Sequence, residues 1–248
     1  MEKIAIIIPS RLNAERLPNK PLKLINNKEM ILHVCNVAKS SNVGEVIVAT
    51  PDQEILDLVK AHNVQAVLTS NKHQTGTDRI FEVFKDLLKF KSEIIINFQG
   101  DMPNLNPDVI KELVVHMKKK ICDIATLASR IENKQEEKDP NVVKVLTSQN
   151  IRNKTFSEAL DFFRISDRPL NEFIYHHVGI YAFTNKALIR YVSLKRSKLE
   201  VERKLEQMRA LENQMKIDVG YIDSCPLSVD TETDLKEVRK MMEKNEQK

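Results

Sequence analysis

Four short apolar runs, separated by stretches of helical periodicity, restrict the fold of this chain more than any other feature. Ile4–Ile8 is an uninterrupted run of apolar, mostly β-branched residues, and Glu45–Ala49, Gln65–Leu68 and Ile94–Phe98 are further short runs of strand character. Continuous apolarity of this length marks a strand covered on both faces. Lys28–Lys39 sets Met30, Ile31, Val34, Val37 and Ala38 at helical spacing, and Asp52–His62 does the same with Ile55, Leu56 and Val59. Thr77–Phe90 and Asp108–Lys118 read as further helices. Strands separated by helical patterns of roughly ten to fifteen residues predict βαβ units and a parallel sheet.

The second half is less regular. Asp123–Ala128, Val142–Leu146, Tyr175–Phe183 and Lys216–Ile222 are predicted strands, and Leu199–Asn213 and Thr231–Glu243 predicted helices. Asp230 or Thr231 would cap the last helix. The polar stretches Glu132–Lys138 and Ser148–Thr155 are predicted loops. The expected organisation is one domain over residues 1–248, with a less regular part at about 132–215.

Composition excludes several classes. Against 39 Lys and Arg stand 35 Asp and Glu, a mild net charge of +4 with no clustered basic stripe, so nucleic acid is not the expected partner. The one run, Lys118–Lys120, falls where lysines complement a helix end. No apolar run approaches the roughly 20 residues a membrane span needs. The Ile4–Ile8 run is too short for a signal peptide, and a cytoplasmic protein is expected. Cys35, Cys122 and Cys225 are far apart, form no C-x-x-C pair and sit beside apolar residues, so they read as small buried hydrophobes and no zinc site is expected.

After the first strand comes "SRLNAERLPNKPL", which puts Arg11, Arg16 and Lys20 on a loop that Pro18 and Pro21 bar from helix. "TSNKHQTGTDR" follows the third strand and "FQGDMPN" ends the fourth. The chain has only five glycines, and Gly76 and Gly100 lie in these segments. In open α/β sheets ligands bind beyond the carboxyl ends of the strands. The three segments would therefore gather Arg11, Arg16, Lys20, Thr75, Thr77, Arg79, Gln99 and Asp101 around one crevice. Several cations with one carboxylate suit a polyphosphate accompanied by a divalent cation. "HHVGIYAF", with Gly179, is the third glycine-bearing polar stretch, where His176 and His177 face opposite sides of a strand and Tyr181 shares the face of His177.

In order, "IIIPSRLNAERLPNKPL", "HQTGTDRI", "INFQGDMP", "DPNVVKV", "HHVGIYAF", "LEQMRALEN" and "SVDTETDLKEVR" resemble the motifs of the 3-deoxy-manno-octulosonate cytidylyltransferase (CMP-Kdo synthetase) family, from about Ile4 to Arg239. The resemblance implies an α/β fold with a Rossmann-like, mostly parallel mixed sheet flanked by helices, of the nucleotide-diphospho-sugar transferase type. It implies a Mg²⁺-dependent homodimer coupling CTP to the sugar acid Kdo for lipopolysaccharide synthesis, with pyrophosphate released. Carried over by match, Arg11, Arg16 and Lys20 would hold the CTP phosphates, and Gly76, Thr77 and Arg79 would seat the nucleotide. Asp101 and Asp230 would ligate Mg²⁺, with Lys20 sharing in catalysis. Gln99, Arg164, His177, Tyr181, Glu206 and Gln207 would line the sugar-acid pocket. Met102 stands where the family usually has an acidic residue, and no Pro-Ile-Pro segment follows Arg164. A related acid, such as 8-amino Kdo or a sialic acid, and a non-catalytic nucleotide-binding role remain open on the residues alone.

Overall fold

In the computed structural model, which describes residues 3–13, 16–153, 155–165 and 173–246, Ile4–Pro9 is strand β1 and is buried along its whole length. The chain forms two compact units, one of residues 1–111 with 226–248 and one of residues 112–225.

In the first unit, Leu24–Ile25 (β2) and Lys28–Glu29 (β3) make a small antiparallel ribbon before helix α1, Met30–Ser40. Glu45–Thr50 (β4), Gln53–Ala61 (α2), Gln65–Leu68 (β5), Gly76–Asp86 (α3) and Ile94–Phe98 (β6) follow. The strands run in the order β5-β4-β1-β6, and every pair is parallel, as the alternation predicts. Helix α3 ends four residues before the predicted Phe90, because Lys89 and Phe90 take positive φ and turn the chain. Gly44 is required by space. A Cβ there would lie 2.2 Å from the carbonyl oxygen of Ile4, which is backbone of β1 and has no rotamer by which to yield. The last helix, Glu232–Glu246, returns to this unit. Val229, Leu235 and Val238, from that helix and its approach, pack with Leu17, Ile25 and Met30 in one apolar cluster.

Helix α4, Asp108–Met117, leads into the second unit. There the elements are Ile124–Ser129 (β7), Lys134–Lys138 (α5), Lys144–Thr147 (β8), Phe156–Phe163 (β9), Ile174–Thr184 (β10), Asn185–Ser193 (α6), Lys198–Arg203 (α7), Gln207–Glu212 (α8) and Ile217–Tyr221 (β11). The last helix is accordingly α9. Strand β7 pairs parallel with β11 and antiparallel with β10, so this part of the sheet is mixed. The order is β10-β7-β11-β9-β8, and β8 pairs back onto β10, so the five strands pair in a closed circuit. Four expectations change here. Strand β9 and helix α6 were not predicted, and α5 forms within a predicted loop, capped by Asn133 accepting from Gln135 N and Glu136 N. The predicted helix 199–213 is two helices, broken where Lys204 adopts the left-handed conformation.

Candidate active site

The charged loop after β1 is fixed by its backbone. Leu12 N donates to Asp52 Oδ2 at 2.8 Å, and Asn19 N donates to Leu12 O at 3.1 Å. Asn19 takes the left-handed conformation and Pro21 starts one turn of 3-10 helix at Lys20–Leu22. Leu17 is sunk into the apolar cluster that also holds Val229 and Leu235. The loop and the approach to α9 therefore share one hydrophobic anchor. That anchor brings distant charges together. Lys20 Nζ lies 3.2 Å from Asp101 Oδ2 and 3.0 Å from Asp230 Oδ1, and Arg16 Nη2 lies 2.9 Å from Asp230 Oδ2. A backbone bond, Val229 N to Asp101 O at 2.9 Å, sets the two acidic segments side by side. Burial works against the charge on Lys20, but Asp101 and Asp230 outweigh it and its pKa is raised.

Asp230 could have been only a helix cap. It is not, because Thr231 Oγ1 accepts from Asp234 N at 3.2 Å while Asp234 Oδ2 accepts from Asp230 N and Thr231 N. The reciprocal capping by Thr231 and Asp234 leaves the Asp230 carboxylate to Lys20 and Arg16. Met102, in place of an acid, is buried and offers no hard oxygen.

The other nucleotide candidates surround the end of β1. A Cβ on Gly76 would lie 3.3 Å from Pro9 Cγ and 3.5 Å from Gln99 Nε2, and one on Gly100 would lie 3.3 Å from Pro9 O. Both glycines thus permit close approach of α3 and β6 to the strand end. Thr75 caps α3 by accepting from Asp78 N, and Thr77 is buried with its hydroxyl 3.4 Å from Asn97 Nδ2. Gln99 Nε2 donates to Asn97 Oδ1 at 3.3 Å. Arg79 differs from its expected role: it is nearly fully buried and donates to Thr69 Oγ1 and to Ser70 O. Burial and the nearby Arg11 lower its pKa, against Asp52 and Glu82. Crowded guanidinium groups of this kind favour an anion between them. Ser10 Oγ, beside Gly100, is buried without a hydrogen-bond partner among the described residues. The sequence offered Ser10 only as part of the loop motif, and nothing in its type announced an orphaned hydroxyl.

The remaining sugar-side candidates belong to the second unit. Strand β10 bulges between Val178 and Tyr181, yet two extra residues preserve parity, so His177 and Tyr181 share a face with ring centroids 5.4 Å apart. His177 Nε2 lies 2.9 Å from Thr126 Oγ1, whose hydroxyl is 2.7 Å from Ile180 O. That network is satisfied when Thr126 donates to the carbonyl and the imidazole donates to Thr126. Burial, with His176 nearby, pushes the His177 pKa down to about 3. Burial, with Glu206 and Tyr191, raises that of Tyr181 well above its usual value. Glu206 is half-buried and Gln207 buried, although both read as surface residues of a charged helix without the family resemblance. Arg164 is half-buried, and its Nη1 donates to Pro140 O and Asn141 O, so backbone carbonyls meet it where a substrate carboxylate was expected. Residues 166–172, which follow Arg164, lie outside the described residues.

A neutral buried His177 has a thermodynamic consequence. Its folded pKa is depressed, so between about pH 6.5 and 3 the unfolded chain binds a proton that the folded chain refuses. Its contribution to stability is complete above pH 6.5 and is lost as pH falls. Chemical denaturation of the wild type and of His177→Gln at pH 7 and pH 5 should differ in slope with pH, the wild type losing about 1–2 kcal/mol more.

Known proteins resemble this chain over nearly its full length. Residues 5–217 match the family model described as Cytidylyltransferase. The chain is 42% identical over 245 residues to the 3-deoxy-manno-octulosonate cytidylyltransferase of Bartonella quintana, covering 97% of this chain and 98% of that one. It is 41% identical over 239 residues to the enzyme of the same name from Brucella ovis, covering 96% and 94%. Among solved structures, a CMP:2-keto-3-deoxy-manno-octonic acid synthetase complexed with CTP superposes with a TM-score of 0.88 at 34% identity, covering 98% of this chain and 100% of that one. A 4-diphosphocytidyl-2C-methyl-D-erythritol synthase from Anaerococcus prevotii shares the fold, with a TM-score of 0.65 at 14% identity over 98% and 99% of the two chains. The mixed α/β architecture, the matched family model and relatives of this identity over nearly full length together place the chain in the cytidylyltransferase family, with the 3-deoxy-manno-octulosonate cytidylyltransferases.

Proposed function

We propose that this cytidylyltransferase moves the cytidylyl group of CTP onto the anomeric hydroxyl of Kdo, giving CMP-Kdo and pyrophosphate for lipopolysaccharide synthesis in the cytoplasm. The observation that carries the reading is the convergence of Asp101 and Asp230 on Lys20, with Arg16 beside them. The anomeric oxygen attacks the α-phosphorus and forms the new P–O bond. The bond from that phosphorus to the bridging oxygen breaks, pyrophosphate leaves, and the hydroxyl proton passes to solvent. Such a reaction needs no protein nucleophile; positioning and charge neutralisation suffice. Arg11, Arg16 and Lys20 hold the triphosphate, and Ser10 adds a hydroxyl donor at the strand end. Gly76 and Thr77 seat the nucleotide, while Arg79 supports that seat through Thr69 and Ser70. Gln99, Arg164, His177, Tyr181, Glu206 and Gln207 are assigned to the sugar acid.

Two carboxylates that share one ammonium are hard-oxygen donors of the kind Mg²⁺ takes, so the pair fits that ion. Asp101 and Asp230 would hold Mg²⁺, which when bound supplies charge neutralisation for the phosphate oxygens. A homodimer is the assembly that the family resemblance implies, and Leu160, Ile165 and Val201 of the second unit, each more than half exposed, are apolar side chains that an interface would cover.

The test is pyrophosphate release from CTP, with and without Mg²⁺, across Kdo, 8-amino Kdo and a sialic acid. Mg²⁺-dependent release with Kdo supports the reading, and preference for another acid replaces the substrate. CTP binding with no release from any acid leaves only a nucleotide-binding protein.

A further inference from the structure

A second cluster of chemistry-bearing side chains lies wholly within the second unit, and the proposed transfer makes no use of it. His116, in the last turn of α4, Cys122, just before β7, and Asp218, on β11, are all buried. One donor atom from each lies within 4.8 Å of the others. His116 Nε2 is 2.8 Å from Asp218 Oδ2, and Cys122 Sγ is 3.7 Å from the thioether sulfur of Met117. The cluster is held on every side. Asp123 N and Ile124 N both donate to Lys216 O, at 3.0 and 3.1 Å, and Lys216 N returns a bond to Asp123 Oδ2 at 2.9 Å. The His116 ring stacks on Phe156 with centroids 3.7 Å apart and planes within 7°. Phe156 in turn lies over Gly220, where an added Cβ would be 2.5 Å from the ring. His116 Nδ1 is buried without a hydrogen-bond partner among the described residues.

The Asp218 carboxylate is 6% exposed; His116 Nε2 lies 2.8 Å from its Oδ2 and Lys216 Nζ 3.8 Å from its Oδ1. A buried carboxylate requires a close compensating charge. The donors present are an imidazole nitrogen, a sulfur and a carboxylate oxygen, a set that favours zinc over magnesium or calcium.

We infer that His116, Cys122 and Asp218 form a binding site for one thiophilic divalent cation of the zinc class. Binding is a ligand exchange without redox change: Cys122 Sγ gives its proton to solvent as the metal–sulfur bond forms. A 2+ ion, one thiolate, one carboxylate and one neutral imidazole sum to no net charge, which suits a buried site. Three protein ligands leave a fourth position for water. Without the ion, burial beside Asp218 pushes the Cys122 thiol up to about 12, so the cysteine is inert rather than nucleophilic. The site does not depend on the proposed substrate, because neither Asp101 nor Asp230 belongs to it.

The test is titration of the chelator-treated full chain with Co²⁺, followed by Zn²⁺. Oxygen ligands such as Asp101 and Asp230 give no thiolate-to-cobalt charge transfer, so that near-ultraviolet band reports a cysteine site alone. One Co²⁺ per chain with this band, bleached by one equivalent of Zn²⁺, is the expected result. Cys122→Ser should remove the band and weaken Zn²⁺ binding about 100-fold or more, whereas Cys225→Ser should leave both unchanged. No band in the wild type, or a band that survives Cys122→Ser, overturns the proposal. Should Cys122→Ser fail to fold, X-ray absorption of the zinc-loaded wild type decides. One sulfur in the coordination shell supports the site, and a shell of nitrogen and oxygen alone overturns it.

Discussion

Asp230→Asn should lower kcat/KM for pyrophosphate release by about 10²- to 10³-fold and leave the melting temperature nearly unchanged. The two halves of that expectation have separate physical causes. The substitution removes one of two carboxylates that converge on Lys20, and with it the negative charge the proposed Mg²⁺ site needs. Lys20 remains paired with Asp101, so no buried charge is stranded. The helix start is untouched, because Thr231 and Asp234 form the cap. The reciprocal variant separates the two roles. Thr231→Ala should cost about 1 kcal/mol of stability with little change in turnover. Asp101→Asn should resemble Asp230→Asn. If Asp230→Asn instead melts early and retains its rate, the carboxylate is structural and the proposed centre is wrong.

Arg209→Met should be the most destabilising single change in the second unit, costing about 3–5 kcal/mol. Glu200 and Arg209 have side chains only 1% and 4% exposed, and they meet at 2.6 and 2.8 Å. Arg196 Nε and Ser197 N supply further bonds to the same carboxylate. Removing Arg209 strands most of that charge out of water. It also removes the guanidinium stacked 4.6 Å over the Tyr191 ring, whose hydroxyl donates to Glu206 O. Burial opposes the charge on Glu200, but the bonds from Arg209 overcome it and the pKa is lowered. The depressed value means this stabilisation is complete above about pH 4.3 and is lost as pH falls below it. Urea denaturation of Arg209→Met and of the double variant Glu200→Gln/Arg209→Met checks the account. The double variant should recover part of the loss, because no carboxylate is then left unpaired. Equal losses in both would assign the cost to packing alone. Since α8 begins at Gln207 and Glu206 sits at its N-cap, a raised KM for the sugar acid should accompany the single variant.

Strands β1 and β6 are legible in the sequence because they are buried along their whole length, so five or six largely apolar residues stand together. Strand β9 is not, because Phe156–Phe163 alternates buried with exposed or half-buried residues and includes Ser157, Glu158 and Asp161. The break at Lys204 carries no signature either, since lysine in the left-handed conformation is not announced by its type. The candidate centre was legible only in pieces. Lys20 is separated from Asp101 by 81 positions and from Asp230 by 210, and only the family motifs link such distances. Spacing also failed for Cys122, whose partner Asp218 lies across the β7–β11 pairing rather than nearby in the chain.

Leu17 and Val229 share one apolar cluster, so two segments far apart along the chain must meet before Lys20 has its second carboxylate. During synthesis the early strands can pair while the charged loop waits, cationic and incomplete, for Asp230 to emerge. A transcript truncated ahead of codon 230 would still encode the four parallel strands, but its product would lack the chemistry they exist to present.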